Sequence, residues 1–346
     1  MRAVLFCNLP YAFSILKPLA DELKKRSFDY IWYVPKELTT IFPYSDKIKT
    51  FDIKEIESFK SDIIFVPGND LPWYLRGVKV QIFHGLAGEK KGHFRIRDYF
   101  DLYLTQGPYF TKRFVELADK HKNFSVKETG WCKLDKLYSQ DREIEEKRRE
   151  LLKRSKAKNI ILYAPTFSPS LTSVEKLYEG IISLSKKDEY LIVIKFHDKM
   201  DREIQKRYED KQSQKLLVLK DDDITDALKF SDLMISDTSS VVYEFLLLDK
   251  PVITLNSHSE NILWEDIDKP EVLEQKIDNI FNANDNFRDK RAEIIRLYHP
   301  YNDGKSASRM VDAALEYIDE YKVPNKRKLP IMRKIKMIKK YGLFRW

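Results

Sequence analysis

Residues 232–255, DLMISDTSSVVYEFLLLDKPVITL, contain the pattern that decides the fold of this chain. A short apolar run at 233–235 ends at a polar turn, and from Val241 onward the apolar residues recur at helical spacing. A second apolar run follows at 252–255. The order of strand, polar turn, helix and strand predicts a βαβ unit. In such a unit the turn lies at the carboxyl end of the sheet, where the first N–H groups of the helix can bind a phosphate.

The polar turn of this unit supplies three candidate phosphate-binding residues, Asp237, Ser239 and Ser240. Side chains and backbone N–H groups at this position would face a ligand in the crevice beyond the strands. The same residue types are also the usual caps of a helix N-terminus. The turn alone leaves both interpretations open, and the rest of the chain has to distinguish them.

The alternation of apolar runs and helical patterns extends along the whole chain. Near-continuous apolar runs are typical of parallel strands buried on both faces, and they occur at 3–7, 30–34, 63–66, 78–83 and 102–105, and again at 160–163, 191–195 and 216–219. A strongly charged stretch between residues 139 and 158 separates the two series. The sequence therefore predicts an α/β fold with two Rossmann-like domains that face each other across a cleft.

The predicted division places the N-terminal domain at residues 1–150 and the C-terminal domain at 151–300. The first helix is predicted at residues 18–25, beginning at a proline. A further amphipathic helix within 301–321 would cross back toward the N-terminal domain, and residues 322–346 would form a basic tail.

Composition and charge exclude several classes of protein. The 346 residues contain no apolar run near the roughly 18 residues needed to span a membrane, and the start, MRAVLFC, resembles a strand and not a signal peptide. The two cysteines stand alone, and neither CxxC nor HExxH occurs, so no metal site is expected.

Residues 322–346 hold ten of the 62 Lys and Arg residues and no acid; the other 321 residues hold 52 basic against 54 acidic side chains, a net charge of −2. This balance argues against a nucleic-acid partner.

Three polar motifs follow predicted strands, at the edge where ligands should bind. His84 ends one strand and could accept a proton from a hydroxyl nucleophile, while the following Gly85 would let a ligand approach. Lys195 and His197 end another strand, and alternation places both on one side, within reach of an anionic group. Thr166 follows the strand at 160–163. Each motif, taken singly, is also compatible with an ordinary turn.

Two further motifs have both functional and structural interpretations. Asp303 lies in a turn before a predicted helix, and Arg309 in the first turn or so of that helix could clamp a phosphate; a surface ion pair is the ordinary alternative. The run Asp221-Asp222-Asp223 could suggest a metal site, but it precedes a helical pattern and is interpreted as helix capping.

In their order along the chain, these motifs resemble the CDP-glycerol glycerophosphotransferase family of teichoic-acid synthesis. The resemblance rests on FHGL at 83–86, GWCKLD at 130–135, YAPTF at 163–167, KFH at 195–197, DDITDALKFSDLMISDTSSVVYEF at 222–245 and YNDGKSASR at 301–309. It extends from about residue 78 to residue 321. The first 75 residues resemble only the N-terminal half of a two-Rossmann transferase of the GT-B type.

The resemblance implies an enzyme that needs no metal or other cofactor. It would transfer glycerol phosphate, or a related phosphoalditol, from a CDP-linked donor to a hydroxyl of a lipid-linked acceptor and release CMP. His84 would be the general base or an acceptor-side histidine, with Gly85 beside it, and His197 would contact the donor pyrophosphate. The phosphate-binding wall would hold Thr166, Lys195, Asp237, Ser239, Ser240, Asp303 and Arg309. A nucleotide-sugar glycosyltransferase of the same architecture is the alternative.

The basic tail has the pattern of a membrane anchor. Residues 325–346 place isoleucines and a methionine at helical spacing, with lysines and arginines on the other side. Such a segment is typical of a helix lying on an anionic membrane surface. The sequence therefore predicts a cytoplasmic enzyme attached to the inner face of the bacterial membrane. As a surface anchor, the segment would be dispensable for folding; a solvated helix or a nucleic-acid contact is the alternative.

Overall fold

The chain forms two structural units in the computed structural model, which describes residues 1–45, 48–86, 93–220, 224–259, 262–282, 285–324, 327 and 329–342. The first unit is Met1–Tyr138 together with Leu297–Trp346, and the second is Ser139–Arg296. The run Asp221-Asp222-Asp223 and positions 325, 326, 328 and 343–346 of the predicted tail lie outside the described residues.

The first unit is built on a parallel sheet. Its strands within the described ranges are β1 (Arg2–Phe6), β2 (Asp29–Tyr33), β3 (Lys49–Thr50), β4 (Ile63–Val66), β5 (Val78–Gln81), β6 (Leu102–Thr105) and β7 (Ser125–Glu128). They are arranged in the order β3-β2-β1-β4-β5-β6-β7, and neighbouring strands run parallel.

The second unit repeats this plan. Its described strands are β8 (Asn159–Tyr163), β9 (Tyr190–Ile194), β10 (Leu216–Val218), β11 (Leu233–Ser236), β12 (Val252–Leu255) and β13 (Glu265–Ile267). The order is β10-β9-β8-β11-β12-β13, again parallel. Every residue of β4 and of β9 is buried, as expected when helices cover both faces of a sheet. Two α/β units with parallel sheets confirm the predicted fold class.

The helices connect and cover the strands. In chain order they are α1 (Ala12–Lys25), α2 (Ile53–Phe59), α3 (Pro108–His121), α4 (Asp135–Tyr138), α5 (Arg142–Ser155), α6 (Tyr178–Leu184), α7 (Arg202–Glu209), α8 (Thr225–Phe230), α9 (Val241–Leu246), α10 (Leu273–Phe281), α11 (Arg288–Tyr298), α12 (Ser306–Tyr321) and α13 (Ile331–Tyr341). None of these described helices combines the length and the hydropathy that a membrane-spanning segment needs.

The unit boundary differs from the predicted division after residue 150. Helix α5 belongs to the second unit, because Arg148 forms an ion pair with Asp232 and also donates to the carbonyl oxygen of Phe230. Ile144 of the same helix is buried. The second unit thus begins at Ser139, where the charged stretch starts, and α5 within that stretch has a solvated face.

The predicted first helix also begins earlier than expected. Pro18 lies inside α1, which starts at Ala12. An interior proline removes one backbone hydrogen bond, but α1 buries an apolar face that includes Ile15, Leu16 and Leu19. Packing of that face stabilises the helix in spite of the proline.

Candidate active site

The predicted site residues lie at the carboxyl ends of strands or beside helix α12. In the second unit, Thr166 follows β8, Lys195 and His197 follow β9, and the turn with Asp237, Ser239 and Ser240 follows β11. In the first unit, His84 and Gly85 follow β5, whereas Asp303 and Arg309 lie before and within α12. Contacts connect members of the second-unit set, Thr166 with Asp237 and Phe167 with His197, whereas in the first unit His84 lies beside Pro67 and Arg309 beside Thr129.

Asp237 organises the edge of the second sheet. Its side chain is fully buried, and its carboxylate accepts the N–H groups of Thr166 at 2.9 Å and Ser173 at 2.9 Å, as well as the Ser173 hydroxyl. Burial raises the pKa of Asp237, and these hydrogen bonds oppose the increase. The buried carboxylate holds the loop after β8 in place, and a contact of Asp237 with a phosphate stays a prediction.

Ser239 and Ser240 are half-buried at the start of α9. The hydroxyl of Ser240, the residue before the helix, makes no capping hydrogen bond to the described helix. The capping interpretation therefore does not account for Ser240. Thr166 is also half-buried, and its N–H is committed to Asp237. The hydroxyls of Thr166, Ser239 and Ser240 stay candidates for binding a phosphate.

His197 is an exposed residue with a defined tautomer. Its Nδ1 accepts the backbone N–H of Lys199 at 3.1 Å, so in the neutral ring the proton lies on Nε2. Its ring packs against Phe167 with centroids 4.4 Å apart. Burial lowers the pKa of His197, the positive charges of Lys199 and Lys195 lower it further, and Asp198 opposes them. The lowered pKa favours the neutral ring of His197, which donates through Nε2.

Lys195 is more enclosed than the sequence suggests. Its Nζ donates to the carbonyl oxygen of Phe196 at 2.7 Å and lies 3.9 Å from Oδ1 of Asp198. The residue is only 8% exposed. The ammonium of Lys195 is therefore held at the end of its own strand, and a direct contact with an anion stays a prediction.

His84 has the opposite tautomer in the first unit. Its Nδ1 lies 3.3 Å from the carbonyl oxygen of Pro67, which can only accept, so Nδ1 carries the proton and Nε2 carries the lone pair. The ring contacts Tyr11, with centroids 5.2 Å apart. The preceding Phe83 has φ +62°, a conformation that costs free energy in a bulky residue and is frequent at functional sites.

Gly85 has no packing reason to be glycine. A Cβ added there would meet no described atom within 4 Å, and its carbonyl oxygen accepts the side-chain amide of Gln106 at 3.2 Å. The open space beside Gly85 is compatible with the predicted approach of an acceptor.

Asp303 and Arg309 form an ion pair with each other, which was the alternative to phosphate binding. Arg309 donates to the carbonyl of Thr129 at 2.8 Å, to Asp303 at 2.8 Å and to the hydroxyl of Ser306 at 3.1 Å, and its guanidinium lies 4.3 Å from the centre of the Tyr301 ring. The Arg309 guanidinium holds the pKa of Asp303 below its usual value. These groups bind the chain itself in this structure, and the phosphate-binding role of the pair stays a prediction.

The motif around residues 130–135 has a related structural role. Asp135 caps α12 by accepting the N–H groups of Ser306 at 2.8 Å and Ala307 at 2.7 Å. His299 accepts the N–H of Trp131 at 2.9 Å, and burial lowers the pKa of His299 to about 4. Local sequence patterns give no sign of these contacts, because the partners are more than 160 residues apart.

No metal-binding cluster occurs in the described part of the chain. Within those residues, no three His, Cys, Asp or Glu side chains lie close enough to hold an ion.

Comparison with known proteins identifies the family. The profile of the CDP-glycerol:poly(glycerophosphate) glycerophosphotransferase family matches residues 78–261, more than half of the chain. The chain is 26% identical over 265 residues to the teichoic acid ribitol-phosphate polymerase TarL of Staphylococcus aureus, an alignment that covers 69% of this chain and 46% of the relative. It is 44% identical over 102 residues to the teichoic acid glycerol-phosphate primase of Bacillus spizizenii, covering 28% of this chain and 25% of the relative.

The fold also matches a solved structure. A variant of the wall teichoic acid polymerase TagF, soaked with CDPG, aligns with a TM-score of 0.66 and 16% identity over 92% of this chain and 88% of that chain. At this identity the likeness shows the fold alone. The chain spans about half the length, or less, of the two curated relatives described above. On the family match, this chain belongs to the CDP-glycerol:poly(glycerophosphate) glycerophosphotransferase family.

Proposed function

We propose that this chain transfers glycerol phosphate, or a related phosphoalditol, from a CDP-linked donor to a hydroxyl group of a lipid-linked polymer and releases CMP. Family membership supports the reaction type. The names of the relatives, a ribitol-phosphate polymerase and a glycerol-phosphate primase, support a phosphoalditol as the group transferred. The TagF variant soaked with CDPG supports a cytidine-linked donor.

The observation that carries this proposal is the pair of opposite histidine tautomers. His84 presents a lone pair on Nε2, which suits a general base, whereas His197 presents an N–H on Nε2, which suits a donor to an anionic oxygen. Phosphoryl transfer needs both functions, since the attacking hydroxyl loses a proton while negative charge on the phosphates has to be stabilised.

In the proposed reaction, Nε2 of His84 takes the proton of the acceptor hydroxyl. The hydroxyl oxygen forms a bond to the phosphorus that carries the alditol, and the bond from that phosphorus to the bridging oxygen breaks. The bridging oxygen leaves with CMP. The Pro67 carbonyl accepts Nδ1–H and stabilises the positive charge that the ring acquires.

On the donor side, the charge of the pyrophosphate would be met by hydrogen-bond donors. We assign this role to Nε2–H of His197 and to the hydroxyls of Thr166, Ser239 and Ser240. Preorganised donors of this kind stabilise charge as it develops in the transition state. Asp237 contributes indirectly, by holding the loop that contains Thr166.

A donor screen tests the proposed function. Purified protein is supplied with CDP-glycerol, CDP-ribitol or a series of uridine-linked sugars, together with a lipid-linked acceptor, and the free nucleotide is identified. We expect CMP from a cytidine-linked alditol. Release of a nucleoside diphosphate from a sugar nucleotide, with no CMP from either alditol donor, would favour the glycosyltransferase alternative.

We propose further that the transfer requires no metal ion. Hydrogen-bond donors at the strand ends would take the part that Mg²⁺ has in many phosphoryl transferases. The expected result is an equal rate of CMP release in EDTA and in Mg²⁺. A rate that collapses in EDTA and returns when Mg²⁺ is added would contradict metal independence.

We propose that α13 attaches the enzyme to the inner face of the bacterial membrane, where a lipid-linked acceptor would be available. Ile331 and Met332 are 74% and 71% exposed, and Ile335 lies on the same side. Lys336 and Lys339 are also exposed on this helix. Exposed apolar residues beside lysines are typical of helices that lie in the interface of anionic membranes.

Vesicle sedimentation tests this attachment. Replacing Ile331, Met332 and Ile335 together with serine should weaken binding to anionic vesicles at least about tenfold, because each side chain loses apolar area that would enter the membrane. Val115→Ser is the matched control, since Val115 is an exposed apolar residue on α3 of the same unit. Equal sedimentation of the triple variant and the control would exclude α13 as the anchor.

A further inference from the structure

Helix α13 packs against the rest of the first unit. Met337 and Tyr341 are buried, and the ring of Tyr341 meets Phe6 and Tyr33 with centroids 6.1 and 6.4 Å apart. The hydroxyl of Tyr74 donates to the carbonyl oxygen of Gly342 at 2.7 Å. The end of the helix therefore lies beyond the carboxyl ends of β1 and β2, the same edge of the sheet at which His84 follows β5.

Two residues of α13 hold the loop that follows β4. Lys340 pairs with the carboxylate of Asp70 at 2.7 Å. The hydroxyl of Tyr341 lies 3.3 Å from Oδ1 of Asn8, and the amide nitrogen of Asn8 donates to the carbonyl oxygen of Asp70 at 2.6 Å. Two independent contacts thus connect the helix to Asp70, one direct and one through Asn8.

The same loop fixes the ring of His84. Pro67 is three residues before Asp70, and its carbonyl oxygen is 3.3 Å from Nδ1 of His84. The side-chain amide of Gln81 donates to this carbonyl oxygen at 3.2 Å, and the hydroxyl of Tyr99 donates to the carbonyl oxygen of Asn69. At one end of this loop Pro67 therefore contacts the imidazole of His84, and at the other end Asp70 contacts α13.

We infer that Tyr341, together with Lys340, is a positioning element for His84, acting through the loop at residues 67–70. The inference rests on the proposed function in so far as it concerns turnover. The helix that carries the exposed apolar residues also sets the orientation and the tautomer of the histidine. Neither residue touches the reacting atoms in this account; both determine where the Pro67 carbonyl lies.

The two contacts differ in how much they contribute to holding the loop. The Lys340–Asp70 pair is about half exposed at both partners, and such pairs contribute little on their own. Tyr341 is buried against Phe6 and Tyr33, which holds its hydroxyl beside Asn8, so replacing it with alanine would remove the link to Asp70 and let the loop move. Tyr341 is consequently the residue to change first.

The first arm of the test measures turnover with a water-soluble acceptor, so that membrane binding is not needed. Tyr341→Ala should lower kcat about 10-fold to 100-fold, the range expected when a catalytic group is displaced by about 1 Å, and leave the KM for CDP-glycerol nearly unchanged. Tyr341→Phe keeps the packing but loses the hydroxyl that contacts Asn8, so its kcat should lie between those of the wild type and Tyr341→Ala. Val115→Ser, at an exposed position on α3 of the same unit, is the matched control and should turn over as the wild type does.

The second arm does not depend on activity. Nitrogen NMR of protein with labelled histidine, with His84 assigned through a His84→Gln variant, reports which ring nitrogen carries the proton. We expect protonated Nδ1 in the wild type and a mixture of tautomers in Tyr341→Ala, with a smaller share of the second tautomer in Tyr341→Phe. An unchanged tautomer together with an unchanged kcat in folded Tyr341→Ala would overturn the inference. A wild type that turns over no CDP-alditol would refute the proposed function, and the tautomer would still decide the positioning role.

Discussion

Replacing His84 with glutamine is expected to lower kcat for CMP release by about 10² to 10⁴-fold, the usual contribution of a general base. Glutamine keeps a polar side chain of similar length but has no group that can take the proton from the acceptor hydroxyl. Because the His84 side chain is exposed, its replacement leaves no cavity in the core, and the variant should fold normally.

The control for this experiment is His121→Gln. His121 is exposed at the end of α3 in the same unit, with Asp98 as its ion-pair partner. Its replacement should leave kcat at the wild-type value. A His84→Gln enzyme that retains a third or more of the wild-type kcat would remove His84 from the role of base.

Replacing Arg327 with alanine is expected to lower the free energy of unfolding by about 3 kcal/mol, as when one partner of a buried ion pair is lost. Arg327 donates from Nε to Asp101 at 2.9 Å and from Nη2 to the carbonyl oxygen of Gly77 at 2.8 Å. Both side chains of the Arg327–Asp101 pair are almost fully buried. Without Arg327, the Asp101 carboxylate would have lost its ion-pair partner.

A second charge lies near this pair. Lys79 is completely buried, and burial lowers its pKa, as does the positive charge of Arg327, while Asp101 opposes them. Removing Arg327 should therefore raise the pKa of Lys79, and a protonated Lys79 would recover part of the lost free energy. The double variant Arg327→Met with Asp101→Asn, which leaves no unpaired carboxylate, should lose less stability than Arg327→Ala.

Chemical denaturation measures these differences, with Lys322→Ala as the control because Lys322 is exposed in the same segment. A loss below about 1 kcal/mol for Arg327→Ala would place the pair in the class of weak surface ion pairs. This prediction also revises the expectation that residues 325–346 are dispensable for folding. Their deletion would remove Arg327 and the buried residues of α13, so we expect it to destabilise the first unit.

The sequence predicts the central strands well because each is a continuous apolar run. Strand β8 was expected at 160–163 and lies at Asn159–Tyr163; β1 was expected at 3–7 and lies at Arg2–Phe6. Strands β3, β7 and β13 were not predicted. They lie at or toward sheet edges, are only two to four residues long and have exposed or half-buried positions, so they lack the apolar signal.

The sequence locates the candidate site residues at strand ends, but it does not give the partners of their side chains. Strand ends locate His84, His197 and Ser240 because parallel strands bring their carboxyl ends to one edge of the sheet. The partners of a side chain depend on contacts that are distant in sequence. Asp237 is held by a loop about 70 residues earlier, and the buried pair between Arg327 and Asp101 joins residues 226 apart. Local patterns carry no signal of such contacts.

The fate of the phosphorus atom tests the proposed reaction most directly. CDP-glycerol is prepared with radioactive phosphorus in the phosphate that is bonded to glycerol, and the products of a reaction with a lipid-linked acceptor are separated. If the acceptor oxygen attacks that phosphorus, the label will move to the acceptor and the CMP will be unlabelled. Label that stays in the nucleotide, released as labelled CDP, would mean that the bond between carbon and oxygen breaks instead, and would contradict phosphoalditol transfer.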